Sequence, residues 1–285
     1  MSKYISVITQ KQAAGFFPKR PRDSHKGLFG TVIVIGGAVG MVGAPLLAAR
    51  AALKLGAGCV HVGLLAENAP SVDLQQPELM LHSASAALKL TYVNVLAVGC
   101  GMGHDLAAQK ILYQSLKLNA VLVLDADALT LLARHTDLQA DLRARVSPTI
   151  ITPHPGEAAR LLTCSTKEIQ ADRAAAAQQL AQQMGCSVVL KGVDSLCTTS
   201  EGKLFMNKTG NPGMSSAGMG DVLTGMIAAF IAQGLPADDA MLLAVHLHGA
   251  SGDALVKQGI KIGMTATEVT EWARWLLNQW MQSAT

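Results

Sequence analysis

The sequence predicts a three-layer α/β/α protein, with helices on both faces of a mostly parallel central sheet and an antiparallel hairpin at the sheet's edge. The first observation behind this is alternation: short β-branched runs recur at residues 31–35, 59–63, 94–98, 121–124, 149–152 and 187–190, with helix-patterned stretches between them. Strands that alternate with helices pair in parallel and are covered on both faces. The second is a change of pattern late in the series, where residues 195–199 and 204–207 flank the polar turn Ser200-Glu201-Gly202-Lys203 and so form an antiparallel hairpin. The third is composition. Of 285 residues, 50% are hydrophobic and 15% charged, which suits one folded domain with a large core and excludes a disordered chain.

The elements follow in chain order. Residues 1–25 are polar and broken by Pro18 and Pro21, and with Lys19, Arg20, Arg22, His25 and Lys26 they are expected to form a solvated N-terminal arm. Residues 27–49 are uncharged over 23 positions, long enough to span a bilayer, yet they contain six glycines and Pro45. They read instead as a strand, a glycine loop and a helix from about Ala44. Farther on, Ser165-Thr166-Lys167-Glu168 is a capping box, expected to open one alanine-rich helix that Gly185 closes, and Thr265 with Glu268 opens another. After Pro212 the pattern is helical to the end, and Val269, Trp272, Leu276 and Trp280 mark the core stripe of the last helix. No repeat or linker divides the chain, so a single domain over 1–285 is expected.

Several function classes are excluded. A net charge of +3 with only 4% aromatic residues gives neither the basic face nor the stacking platforms of a nucleic-acid binder. The five cysteines, Cys59, Cys100, Cys164, Cys186 and Cys197, are odd in number and never spaced C-x-x-C, which argues against a disulfide framework and a zinc site and fits a reducing cytoplasm. No apolar run near the start has signal-peptide length, and no membrane partner is expected.

In open α/β sheets ligands bind where strands end and helices begin. Glycine-rich loops occupy three such junctions, at residues 36–43, 99–103 and 210–225. The first lacks the spacing of a dinucleotide fingerprint, and the first two alone are as readily tight turns as phosphate cradles. The third leads from small residues into an apolar helix, so the backbone N–H groups of Gly218, Met219 and Gly220 can converge as an anion hole at a helix N-terminus. Asp221 follows directly. It is either an acid that favours the positive end of the helix dipole or a proton acceptor beside a transferring phosphate. His154 sits between Pro153 and Pro155 in a rigid strand-end loop, either as a satisfied loop histidine or as a presented side chain. Lys191 and the amides of Gly192, Val193, Asp194 and Ser195 follow another strand and could meet a nucleotide. Asp127 reads as a helix N-cap, and Asp125 as a carboxylate able to hold water or Mg²⁺.

Taken in order, G-G-A-V-G-M-V-G-A from Gly36, V-G-C-G-M-G from Val98, D-A-D-A-L from Asp125, T-P-H-P-G-E from Thr152, K-G-V-D-S from Lys191 and G-N-P-G-M-S-S-A-G-M-G-D-V-L-T-G from Gly210 resemble the ADP-dependent NAD(P)H-hydrate dehydratases of the ribokinase-like superfamily. The resemblance runs from about Lys26 to the end. It implies a ribokinase-like fold and repair of hydrated NADH or NADPH (NADHX, NADPHX). ADP or ATP phosphorylates the ring hydroxyl, phosphate is eliminated, and ADP becomes AMP. It further implies that Asp221 is the catalytic base, that Ala44, Gly103, His154 and Asp221 contact the hydrated cofactor, and that Lys191, Gly192, Val193, Asp194, Ser195 and Gly220 contact the nucleotide. Mg²⁺ is the implied metal, its ligands left open, and a homotetramer the implied assembly. Only about 25 residues precede the matching region, so no epimerase domain is expected and epimerisation falls to another chain or to spontaneous exchange. Two alternatives share these residues: a ribokinase-type kinase of a vitamin alcohol, and a nucleotide-binding regulator without chemistry.

Overall fold

A computed structural model describes residues 5–17 and 20–283 and arranges them about a ten-stranded sheet. The expected strands are present as β2 (Thr31–Gly36), β3 (Cys59–Leu64), β5 (Val95–Val98), β6 (Val121–Leu124), β7 (Thr149–Ile151) and β8 (Ser187–Leu190), with the hairpin β9 (Leu196–Thr198) and β10 (Leu204–Met206). Two short strands were not expected, β1 (Ser6–Val7) and β4 (Met80–Ser83). Strand order is β1-β10-β9-β8-β7-β6-β5-β2-β3-β4, parallel from β4 through β8 and antiparallel at β8–β9 and β9–β10. The hairpin is therefore not the outermost element: β1 adds to it in parallel, placing Ser6 opposite Phe205.

Alternation along each strand divides the core into two layers. Val32, Val34, Val60, Val62 and Ala97 face one cluster, packed beneath α2 (Gly43–Lys54), α10 (Met219–Ala232), α11 (Ala237–Lys257) and α12 (Ala266–Ser283). Ile33, Ile35, Leu96, Val98, Leu122 and Leu124 face the other. That layer is covered by α4 (Leu106–Leu116), α5 (Asp127–Arg134), α7 (Pro155–Leu161) and α9 (Arg173–Met184). On α12, Val269 and Trp280 are buried in the first cluster, with Trp272 and Leu276 packed against it, as the stripe predicts. Helices α2 and α10 touch backbone to backbone: a Cβ at Gly225 would fall 2.0 Å from the Ala48 carbonyl oxygen. Their N-termini therefore emerge side by side at the carboxyl edge of the sheet, where the strand order reverses between β2 and β5.

Two expectations are corrected. The N-terminal segment is not a solvated arm throughout. Arg22, His25 and Lys26 are exposed, but Ile8 and Ala13 are buried, β1 extends the sheet, and α1 (Gln10–Gly15), capped by Thr9, packs against α11 and α12. Phe17 meets Phe230 edge to face at 5.7 Å, and Arg20 donates to the Gly56 carbonyl and to Gln233 Oε1. The apolar residues here are too scattered for a periodic signal, yet each has a partner in the folded chain. Pro18 and Lys19 lie outside the described residues. The alanine-rich helix is also two helices: Ser165 caps α8 (Thr166–Ala171), and Asp172 breaks the run by accepting from Ala175 N at 2.9 Å to cap α9. Gly185, at φ +66°, ends α9 as expected.

Candidate active site

Two of the glycine loops are stitched together at the switch point. Gly37 N donates to the Cys100 carbonyl at 3.1 Å and Ala38 N to the Gly101 carbonyl at 2.7 Å. The approach needs glycine, because a Cβ at Gly36 would fall 2.0 Å from the Cys100 oxygen and one at Gly99 would fall 1.9 Å from the Asp125 oxygen. A wall of small residues results: a Cβ on Gly101 would touch the Ala44 methyl at 3.2 Å, and one on Gly103 the Ala38 methyl at 3.4 Å. Gly103 is held by its N–H, which donates to Asp127 Oδ2 at 2.9 Å, while His104 Nε2 lies 2.8 Å from Asp127 Oδ1. Asp127 is thus not the N-cap expected for it. The cap position of α5 belongs to Ala126, at φ +52° and with no side-chain cap, and the Asp127 carboxylate is spent on the 99–103 loop instead.

The third loop ends as the sequence predicts. Gly218, at φ +88°, is the N-cap of α10, and the first backbone bond of the helix runs from Val222 N to the Gly218 oxygen at 3.0 Å. The N–H groups of Met219 and Gly220 form no bond within the described residues, so this terminus offers free donors at the positive end of the helix dipole. Asp221 stands in the first turn, largely buried. Burial pushes its carboxyl up to about 6, a rise that a hydrogen bond from the Cys100 thiol partly offsets.

Lys191, at the end of β8, reaches the same place. Its Nζ lies 2.7 Å from Asp125 Oδ1, 4.0 Å from Glu157 Oε2 and 3.3 Å from where a Cβ on Gly220 would sit. Burial disfavours the ammonium, but Asp125 and Glu157 hold it above its ordinary range. Asp125 is 1% exposed and saturated: Oδ1 also accepts from Ala126 N at 2.8 Å, and Oδ2 accepts from Thr224 Oγ1 on α10 at 3.0 Å. Glu157 is buried on α7, and that burial pushes its carboxyl up to about 7 against the pull of Lys191.

His154 caps α7. Its Nδ1 accepts from Gly156 N at 3.0 Å and Glu157 N at 3.3 Å, while its own N–H donates to Glu157 Oε2 at 2.8 Å. Burial, Lys191 and Arg160 keep the ring neutral. With Nδ1 committed as acceptor, the proton is on Nε2, so the half-exposed edge of the ring is a donor. The remaining loop residues are placed from beneath by Arg173. Its guanidinium donates to the carbonyls of Leu190 and Lys191 at 3.2 Å each, of Asp194 at 3.5 Å, and of Val193. Gly192 and Val193 are exposed at the rim, Ser195 Oγ donates to the Gly192 carbonyl, and Asp194 pairs with Lys208 at 2.7 Å.

The structure therefore gathers Lys191, Gly220 and Asp221 at one point, sets Ala44 beside the loop that carries Gly103, and leaves Gly192, Val193, Asp194 and Ser195 at the rim. Sequence reasoning missed Glu157, Thr224, Arg173 and Cys100. Glu157 had a signal, as the third residue of a capping box led by His154, and Thr224 lies three residues after Asp221 on the same helix. Nothing near Arg173 or Cys100 in sequence marks either. A donor hole, an ammonium and a buried carboxylate at one point suit phosphoryl transfer to a hydroxyl.

A family model described as NAD(P)H-hydrate dehydratase matches residues 32–274. An ADP-dependent (S)-NAD(P)H-hydrate dehydratase of Neisseria meningitidis serogroup B is 42% identical over 92% of this chain and 90% of that one. A bifunctional NAD(P)H-hydrate repair enzyme of Coxiella burnetii is 41% identical over 95% of this chain, which spans 55% of that relative's length. The crystal structure of an ADP/ATP-dependent NAD(P)H-hydrate dehydratase from Bacillus subtilis, co-crystallized with ATP/Mg²⁺, superposes with a TM-score of 0.87 at 28% identity, covering 97% of this chain and 99% of that one.

Proposed function

The chain belongs to the NAD(P)H-hydrate dehydratase family, and from that premise and the geometry above we propose how its residues carry out ADP- or ATP-dependent dehydration of NADHX and NADPHX. The ring hydroxyl attacks the terminal phosphorus of the nucleotide. The bond from that phosphorus to the nucleotide's bridging oxygen breaks, and Asp221 takes the hydroxyl proton. The phosphate ester then leaves, pushed by the ring nitrogen lone pair, and loss of a proton from the adjacent carbon re-forms NAD(P)H. ADP leaves as AMP.

In this reading the N–H groups of Met219 and Gly220, with Gly218 shaping the turn, and the Lys191 ammonium stabilise charge on the transferring group. Ala44 and Gly103 form the wall against the hydrated ring, His154 donates Nε2–H to it, and Lys191 through Ser195 with Gly220 hold the nucleotide. Mg²⁺ fits this donor set: Asp125 and Glu157 present hard carboxylate oxygens on either side of Lys191, and no cluster of three or more ligating side chains forms among the described residues, as suits a cation held by one or two carboxylates, waters and substrate phosphates. When bound it would neutralise phosphate charge.

One observation carries the reading. A buried carboxylate follows directly on free helix-end donors that abut a lysine ammonium. Incubation with NADHX and ADP should restore the nicotinamide absorbance and release AMP and phosphate; a stable phosphate ester with no NADH would point to a kinase instead. We further place the protein in the cytoplasm, where its five free thiols stay reduced, as a homotetramer that relies on a separate chain for epimerisation. Among the described residues no helix is long and apolar enough to cross a membrane.

A further inference from the structure

We propose that Cys100 is a positioning residue for the Asp221 carboxylate, its thiol being the donor that turns the base toward the attacking hydroxyl. The inference rests on the reading of Asp221 as the base. Cys100 lies in the 99–103 loop with no exposed surface, and its backbone is locked from both sides: its carbonyl accepts from Gly37 N and fills the space a Cβ on Gly36 would need. The side chain therefore has one direction to take, and it donates to Asp221 on the neighbouring helix. Among the described residues no N–H or O–H group bonds the Asp221 carboxylate, so the thiol is its sole hydrogen-bond donor. The other charged groups that face it are Asp125 at the end of β6, Asp127 at the start of α5 and Lys191 at the end of β8. Asp125 is saturated by Lys191, Ala126 and Thr224, and Asp127 by the loop, so none of them can replace the thiol.

A donor to the ionised form lowers a carboxyl's titration, so its removal must raise it. The thiol itself stays protonated, because burial and the charges of Asp221 and Asp125 push it well above its ordinary range. The test is the pH dependence of kcat for wild type, Cys100→Ala and Cys100→Ser at saturating NADHX and ADP. Cys100→Ala should move the acid limb upward by at least about half a pH unit, with the KM for ADP and the melting temperature little changed, and Cys100→Ser, which keeps a donor, should move it back. An alanine variant with an unmoved acid limb overturns the proposal, as does a serine variant that behaves like alanine. Asp221→Asn, assayed in parallel, tells the two failures apart: if it keeps full turnover the base lies elsewhere, whereas a dead asparagine variant beside an unmoved alanine limb removes only the role of Cys100.

Discussion

Lys191 Nζ lies 2.7 Å from Asp125 Oδ1, and this pair joins the end of one strand to the end of another directly beneath the donors of α10. The pair is largely enclosed, the Lys191 side chain being 21% exposed and that of Asp125 2%. Asp125→Asn keeps the shape and an acceptor for Thr224 but leaves the ammonium with Glu157 alone. Breaking such a pair costs on the order of 3 kcal/mol, so the variant should lose that much stability in urea titrations and turn over at least tenfold more slowly.

Lys191→Ala addresses the division of labour between ligands. Because the ammonium abuts Gly220 and heads the loop held by Arg173, the substitution should raise the KM for ADP about tenfold or more and that for NADHX by much less. Equal losses for both ligands would count against assigning Lys191 to the nucleotide.

Glu157 gives a pH signature. Its carboxyl titrates at about 7 in the folded protein against an ordinary 4.5, because burial disfavours the charge. The folded state thus holds a proton that the unfolded chain has released, and stability falls as pH rises through that window. Glu157→Gln keeps the hydrogen bond to His154 N and cannot ionise. Its stability should decline less than that of wild type between about pH 5 and 8, by up to roughly 3 kcal/mol; parallel curves would mean that Glu157 is ionised throughout.

Trp280 is 6% exposed and its ring lies 5.8 Å from His246, inside the layer beneath α12. Trp280→Ala should therefore cost about 3 kcal/mol or more through the cavity it leaves, with no change of particle size in light scattering. A change of size at constant melting temperature would instead make this stripe a subunit contact.

Much of this was legible in the sequence because it is local. Strands at 121–124 and 187–190, the capping boxes at Ser165 and Thr265, and the glycine entry to α10 each depend on neighbours within a turn or two. What escaped depends on partners far along the chain. β1 forms because the hairpin leaves an edge to cover, α8 and α9 separate because Asp172 finds a donor three residues on, and Asp127 leaves its cap because the 99–103 loop needs an acceptor. The same holds at the site. Gly218 to Asp221 and Lys191 carry their own sequence signals, whereas the contact of Cys100 with Asp221 spans 121 residues and exists only once the sheet and α10 are assembled.

The central claim is that Asp221 accepts the hydroxyl proton, and the single-turnover rate of Asp221→Asn measures it most directly. His154 is no substitute base, since its Nδ1 lone pair is committed to two backbone N–H groups and Nε2 bears the proton. Asparagine keeps the size of the side chain and can still accept from Cys100, but it cannot take a proton. The account predicts a loss of at least about a hundredfold in the NADHX-to-NADH step, with ADP binding within a few-fold of wild type and a nearly unchanged melting temperature. Wild-type turnover in that variant would contradict it.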